Sequence, residues 1–198
     1  MIIMEIEFKI LDWIQSIRTP IGDVMMQFVS GLGDAGTIWI LLAVILLIIP
    51  KTRKSGAVLL MALCLNVVLC NVILKNVFCR IRPCDVNTSI QLLVARPDDF
   101  SFPSGHTAAS FAAVSALFFA GEKRLWKPAM VLAILIAFSR MYLYVHYPTD
   151  ILGGIVAGIT VGCIGYQLVG KLERLKIHNT RKGDDIHGSS NYSGISAR

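Results

Sequence analysis

Three short stretches hold most of the residues that could do chemistry: Lys75 through Arg82-Pro83, then Pro103-Ser104-Gly105-His106, then Ser139-Arg140 through His146 to Asp150. Lys75, Arg82 and Arg140 are suited to neutralising the oxygens of a phosphoryl group, and each arginine can grip two oxygens at once. Ser104 and Gly105 read as a helix start, where backbone N–H groups and the helix dipole bind anions and glycine lets the backbone come close. One histidine can attack phosphorus while the other protonates the leaving oxygen. Asp150 follows His146 by four residues across Pro148. It is placed to hold that ring, fix its tautomer and stabilise the imidazolium, which marks His146 as nucleophile and leaves His106 as general acid. The chemistry indicated is phosphoryl transfer in two in-line steps.

Taken singly, most of these residues have plainer readings. Lys75 and Arg82 resemble anchors at a helix end, Ser104 an N-cap, and Asp150 a first-turn carboxylate. Arg140 does not fit such a reading. It lies inside an otherwise apolar helix, where a charge costs about 2 to 3 kcal/mol or more unless it faces a polar cavity and an anion. Ser139 beside it has no independent role.

The elements that must position these residues are membrane helices. The chain has 198 residues, 55% of them hydrophobic and 16% charged, with a mean hydropathy of +0.64. That balance excludes an ordinary soluble domain and a disordered chain. Five cysteines with no C-x-x-C pair suggest neither a zinc site nor a disulfide scaffold. Uncharged apolar runs cover Gly36–Pro50, Ser55–Leu74, Ser104–Gly121, Pro128–Tyr147 and Ile151–Gly170, with Arg140 the only full charge inside any of them. Ahead of them, Ile6, Ile10, Trp13, Ile14 and Ile17 form one face of a helix whose other face carries Glu5, Glu7, Lys9, Asp12 and Gln15. The fold expected is all-α: a polytopic membrane bundle of five to six transmembrane helices with an N-terminal amphipathic helix. Residues 1–34 form the interfacial N-terminal part, with 21–32 interfacial or re-entrant. Residues 35–172 form the membrane domain, and 173–198 a cytoplasmic tail, disordered from Ile177 onward.

The formal charge of +6 sorts by topology. Lys51, Arg53 and Lys54, then Lys123, Arg124 and Lys127, then the basic residues from Lys171 onward all fall on one side if five segments alternate. The positive-inside rule makes that side, and the C-terminus, cytoplasmic in a multi-pass plasma-membrane protein. The three chemical stretches then share the external face. The remaining basic residues form no stripe with aromatic partners, so nucleic acid is not an expected partner. A non-catalytic anion-binding or transport protein would use the same cations. It would not need two histidines and a carboxylate beside them, and the chain lacks an inverted repeat.

The three stretches together resemble the signature of the type 2 phosphatidic acid phosphatase superfamily, the haloperoxidase-related membrane lipid phosphatases: K-x6-R-P, P-S-G-H and S-R-x5-H-x3-D, with no position missing from Lys75 to Asp150. The resemblance implies a phosphatase without metal or other cofactor that acts on lipid phosphates or diphosphates through a phosphohistidine. It implies His146 as nucleophile, Asp150 as its partner, His106 as acid, and Lys75, Arg82, Ser104, Gly105 and Arg140 as phosphate ligands. Short bacterial members of similar layout implied undecaprenyl diphosphate as substrate, with phosphatidylglycerol phosphate or phosphatidate as alternatives.

Overall fold

The computed structural model describes residues 2–192, and among them there are helices and no strands. The bundle is built from α1 (Ile2–Ser16), α2 (Pro20–Leu32), α3 (Thr37–Ile48), α4 (Arg53–Asn66), α5 (Lys75–Phe78), α6 (Pro83–Val86), α7 (Gly105–Phe119), α8 (Trp126–Tyr142) and α9 (Pro148–Tyr192). A π-helical stretch, Val67–Leu74, joins α4 to α5 without a break, so the chain leaves the bundle centre as one long rod.

Each of the five apolar runs has become a helix of this bundle. By length and composition Pro50–Val86 and Pro148–Lys176 suffice to cross a membrane, and α2 with Asp34–Ile48, bent by 44°, forms a broken span or a re-entrant loop. The central α7 is shorter, at 15 residues, but Thr107–Leu117 are buried without interruption. It is enclosed by other helices rather than by lipid.

Close packing of α7 and α9 is what brings the second and third stretches together. On α9, Gly154, Gly158 and Gly162 repeat every four residues and face α7. A Cβ at Gly154 would lie 2.8 Å from the Ser104 carbonyl, and one at Gly158 2.5 Å from that of Ala108. Only glycine permits this approach, the device by which small residues pack helices where no water drives them together. One consequence is that the start of α7 meets the start of α9, where the Ser104 N–H donates to the Asp150 carbonyl at 3.1 Å. Trp39 of α3 is pinned to the same helix through its Nε1–H to Ser110 Oγ, 3.0 Å.

Helix α1 is oriented against the simplest reading of its pattern. Ile6, Ile10, Trp13 and Ile17 point away from the protein, whereas Ile14 of the same face is buried along with Leu11 and with Glu7, 3% exposed. The stripe expected to seek apolar surroundings has the bilayer for that purpose, so the polar edge is free to bond to the protein: Gln15 donates to the Tyr142 carbonyl and Asp12 accepts from the Tyr144 hydroxyl. At the other end, α9 runs on through Tyr192, where the composition from Ile177 suggested a tail without structure. Residues 193–198 of the expected tail lie outside the described residues.

Candidate active site

The three stretches meet at one end of the bundle around a cavity of about 560 Å³. Six of the eight expected residues line it: Lys75, Arg82, Gly105, His106, Arg140 and His146. Ser104 and Asp150 stand behind them, both 0% exposed. The rest of the lining joins an apolar group, Ile40, Leu60, Leu63 and Val67, to the polar Asn66, Asn71, Asp98 and Asp99.

Local backbone geometry aims the cations. After Lys75 and the single turn of α5, Cys79 takes a left-handed φ of 44°, which ends the rod and turns the chain back so that Arg82 enters the site. Arg82 donates from Nε to the Asp99 carbonyl and from Nη1 to the Val145 carbonyl, both at 2.8 Å. The carboxylate of Asp99 bridges the Lys75 ammonium and the Arg82 Nη2. Burial raises the Asp99 carboxyl pKa, but hydrogen bonds and charge from Lys75 and Arg82 outweigh it and hold the group below the ordinary aspartate value. Gly105 opens α7 below this pair, with Asn71 Oδ1 3.5 Å and Lys75 Nζ 4.0 Å from where a Cβ would stand.

Arg140 and His146 are six residues apart, about 240° around a continuous helix, and would face different ways. The structure removes the conflict by ending α8 at Tyr142. The Tyr144 N–H donates to the Met141 carbonyl at 2.9 Å and the Val145 N–H to that of Arg140 at 3.2 Å, the paired bonds of a Schellman turn. Tyr144 holds the left-handed position, φ 60°, where glycine is usual. Its ring is 0% exposed, and its hydroxyl donates to Asp12 at 2.7 Å. The turn folds His146 back beside Arg140.

Behind His146 the carboxylate of Asp150 accepts on Oδ2 from Ser101 Oγ at 2.5 Å and from the Tyr147 N–H at 2.9 Å. The same Oδ2 lies 3.5 Å from His146 Nδ1. On the cavity side Arg82 Nη1 approaches His146 Nε2 at 3.2 Å. An arginine N–H only donates, so Nε2 carries the lone pair and Nδ1 the proton that faces Asp150.

His106 stands across the cavity with Nε2 2.8 Å from Asp34 Oδ1. Its ring lies against Gly33, where a Cβ would come within 2.9 Å of His106 Cδ2. Left-handed Ala35 (φ 51°) and Gly36 (φ 70°) make the turn that carries Asp34 there. Arg140 is 6% exposed and donates to Ser30 Oγ of α2, while its buried Nε has no partner among the described residues. Ser104 caps α7, its Oγ accepting from the Thr107 hydroxyl at 2.9 Å. Ser139 turns its hydroxyl to the Ile136 carbonyl, 2.7 Å.

Asp34, Ser101, Ser30 and Glu7 were not visible as site residues in the sequence. Asp34 sits between a Gly and an Ala-Gly pair and reads as turn chemistry, and Ser101 lies in a loop with no periodicity. Glu7 reads as one charge on the solvated face of an amphipathic helix.

A cavity that gathers three cations and two histidines beside apolar side chains, within an all-helical membrane bundle, fits a class: a membrane protein that handles the phosphate end of a lipid. The profile of the PAP2 superfamily matches residues 55–174, and the chain belongs to that superfamily. It is 32% identical over 161 residues, 81% of this chain and 76% of the relative, to an undecaprenyl-diphosphatase of Sulfolobus acidocaldarius. The crystal structure of Aquifex aeolicus LpxE superposes with a TM-score of 0.69 at 29% identity, covering 82% of this chain and 95% of that one. A PAP2-type phosphatidylglycerolphosphate phosphatase of Bacillus subtilis gives 0.69 at 27% identity, covering 87% and 86%. The chain is a membrane lipid phosphatase, a hydrolase of phosphoric esters.

Proposed function

We propose that this phosphatase hydrolyses a polyprenyl diphosphate, undecaprenyl diphosphate or a close analogue, to the monophosphate at the extracytoplasmic face of the plasma membrane. The observation that carries the site assignment is Arg140, whose buried guanidinium keeps an unpartnered Nε at a cavity that already holds Lys75, Arg82 and two histidines. A buried polar atom without a partner among the described residues calls for one, and at such a cluster of cations an anion serves. The apolar group of Ile40, Leu60, Leu63 and Val67 suits the hydrocarbon next to the headgroup. The Sulfolobus relative, named for undecaprenyl diphosphate, and the sorting of basic residues to one side of the helices support the choice of substrate and face.

In this reading Lys75, Arg82 and Arg140 hold the terminal phosphoryl oxygens, with the Gly105 N–H at the start of α7. His146 Nε2 attacks phosphorus in line; the N–P bond forms as the bond to the lipid oxygen breaks, and His106 gives its proton to that oxygen. Water then attacks the phosphohistidine, gives its proton to His106, and releases inorganic phosphate and neutral His146. Asp150 orients His146 and balances the positive charge on its phosphorylated ring.

The test is phosphate release in detergent and EDTA from undecaprenyl diphosphate, phosphatidylglycerol phosphate and phosphatidate side by side. At least a tenfold preference in kcat/KM for the prenyl diphosphate is expected, with activity unchanged by EDTA. Preference for a glycerolipid overturns the substrate, and a loss in EDTA restored by Mg²⁺ overturns the mechanism.

Asp99 is a substrate mimic in this arrangement, because its carboxylate occupies the two cations that a phosphate needs. Asp99→Asn is therefore expected to lower KM and the inhibition constant of inorganic phosphate together, by about threefold to tenfold, the equivalent of about 0.7 to 1.4 kcal/mol, with kcat little changed. Since its folded pKa is depressed, the stabilisation from these ion pairs is present above the unfolded aspartate value of about 3.9 and is lost as pH falls below it. The Asn variant should accordingly lose less stability than the wild type on acidification below that value, as thermal unfolding at stepped pH will show.

A further inference from the structure

We propose that α1 belongs to the catalytic frame: Glu7, acting through Arg80, positions Asp150 and sets the charge behind the nucleophile. This rests on the reading of His146 as nucleophile and adds to it two residues outside the motif positions.

Arg80 lies between two buried carboxylates. Its Nη1 donates to Asp150 Oδ1 and to Thr149 Oγ1, both at 2.6 Å, and its Nη2 to Glu7 Oε2 at 2.5 Å. Its guanidinium carbon lies over the Tyr147 ring, 4.0 Å from the centroid, and it does not line the cavity that holds the other cations. Three of its five N–H donors and one face are committed to this network, and it stands outside the cavity in which Lys75, Arg82 and Arg140 meet the two histidines. Glu7 completes the frame from α1, its Oε1 accepting from the Thr149 N–H at 3.2 Å and from the Thr149 hydroxyl. Leu11 and Ile14, buried one and two turns further along, hold the helix in place.

Two physical requirements explain this construction. A carboxylate at 0% exposure, as Asp150 is, is stable as an anion only with a counter-charge and hydrogen bonds. Neutral His146 supplies no charge, so Arg80 does. An arginine alone, however, cancels the negative charge that a phosphorylated imidazolium needs behind it. Glu7 restores it, because Glu7, Arg80 and Asp150 together carry one net negative charge. The pair thus makes Asp150 both tolerable in the empty site and effective in the charged intermediate.

The experiment measures kcat and KM for phosphate release from undecaprenyl diphosphate and from phosphatidylglycerol phosphate by the full chain in phospholipid vesicles. Arg80→Ala is expected to lower kcat about 30-fold to 100-fold with KM within about twofold, the scale of a nucleophile displaced by a fraction of an ångström. Glu7→Gln keeps the acceptor but removes the charge, and is expected to lower kcat about fivefold to 20-fold, about 1 to 2 kcal/mol of barrier. The double variant should be no slower than Arg80→Ala, because both act through one network. Arg80→Lys, which keeps the charge and the fold, should recover part of the loss. Unchanged kcat in both Arg80→Lys and Glu7→Gln, a rise in KM alone, or additive losses in the double variant overturns the proposal while leaving the nucleophile intact. No release by the wild type from either lipid overturns the underlying reading and this inference with it.

Discussion

Replacing His146 by alanine is expected to reduce phosphate release from every lipid phosphate at least about 10⁴-fold, the scale seen when a covalent nucleophile is removed. The ring is 2% exposed, presents Nε2 to the cavity and has a carboxylate behind Nδ1. His106 cannot replace it, since its Nε2 already faces Asp34 at 2.8 Å. Rapid quench with a labelled terminal phosphate should trap an acid-labile, alkali-stable phosphoryl group on the wild type and none on the variant. The fold should survive, because Arg82 keeps the Asp99 and Val145 carbonyls as partners, and thermal unfolding will verify that it does. Turnover within tenfold of wild type, or a label still trapped on the variant, would remove His146 from its role.

His106→Gln should show a loss that depends on the substrate. Breaking a phosphate monoester expels an alkoxide, a poor leaving group that must be protonated as it departs, and loss of a general acid there costs about 10² to 10⁴-fold. Breaking a diphosphate expels a lipid phosphate, which leaves as a stable anion and needs much less help. The variant is therefore expected to lose at least about 100-fold on phosphatidylglycerol phosphate but about tenfold or less on undecaprenyl diphosphate, the range within which general acid help is weak. Equal losses on both would show that His106 binds the phosphate rather than protonating the leaving oxygen. The comparison also bears on why Asp34 sits at 2.8 Å: a carboxylate partner orients the imidazole that must deliver the proton. Both substrates are assayed in the same vesicles so that membrane access does not differ.

Several features were legible before folding because each leaves a mark along the chain. Apolar runs of 15 to 20 residues announce helices in lipid, and Arg140 is conspicuous because a charge in such a run has to be explained by its surroundings. The motif residues were legible as chemical types gathered at fixed spacing in three short stretches, Lys75 to Arg82, Ser104 to His106 and Arg140 to Asp150. What could not be read there is the handedness of single residues. Tyr144 and Cys79 take left-handed φ with no glycine to advertise it, and without those turns neither His146 nor Arg82 would reach the site.

Glu7 shows most clearly where reading along the chain ends. On a helix with isoleucines down one side, a glutamate on the other is expected to face water, and nothing in residues 1–18 marks it for burial. Its environment is set by residues 80 and 149, more than 70 and 140 positions away. From its own residues the chain determined its helices, the bilayer they require and the chemical types gathered at one end of them. The tertiary structure alone decided which polar groups stand behind those types, Asp34 at His106, Ser101 and Arg80 at Asp150, and Glu7 at Arg80. The physical reason is that the energy of a buried charge depends on what surrounds it in three dimensions, and the helix approach through Gly154 and Gly158 that supplies those surroundings exists only in the packed bundle.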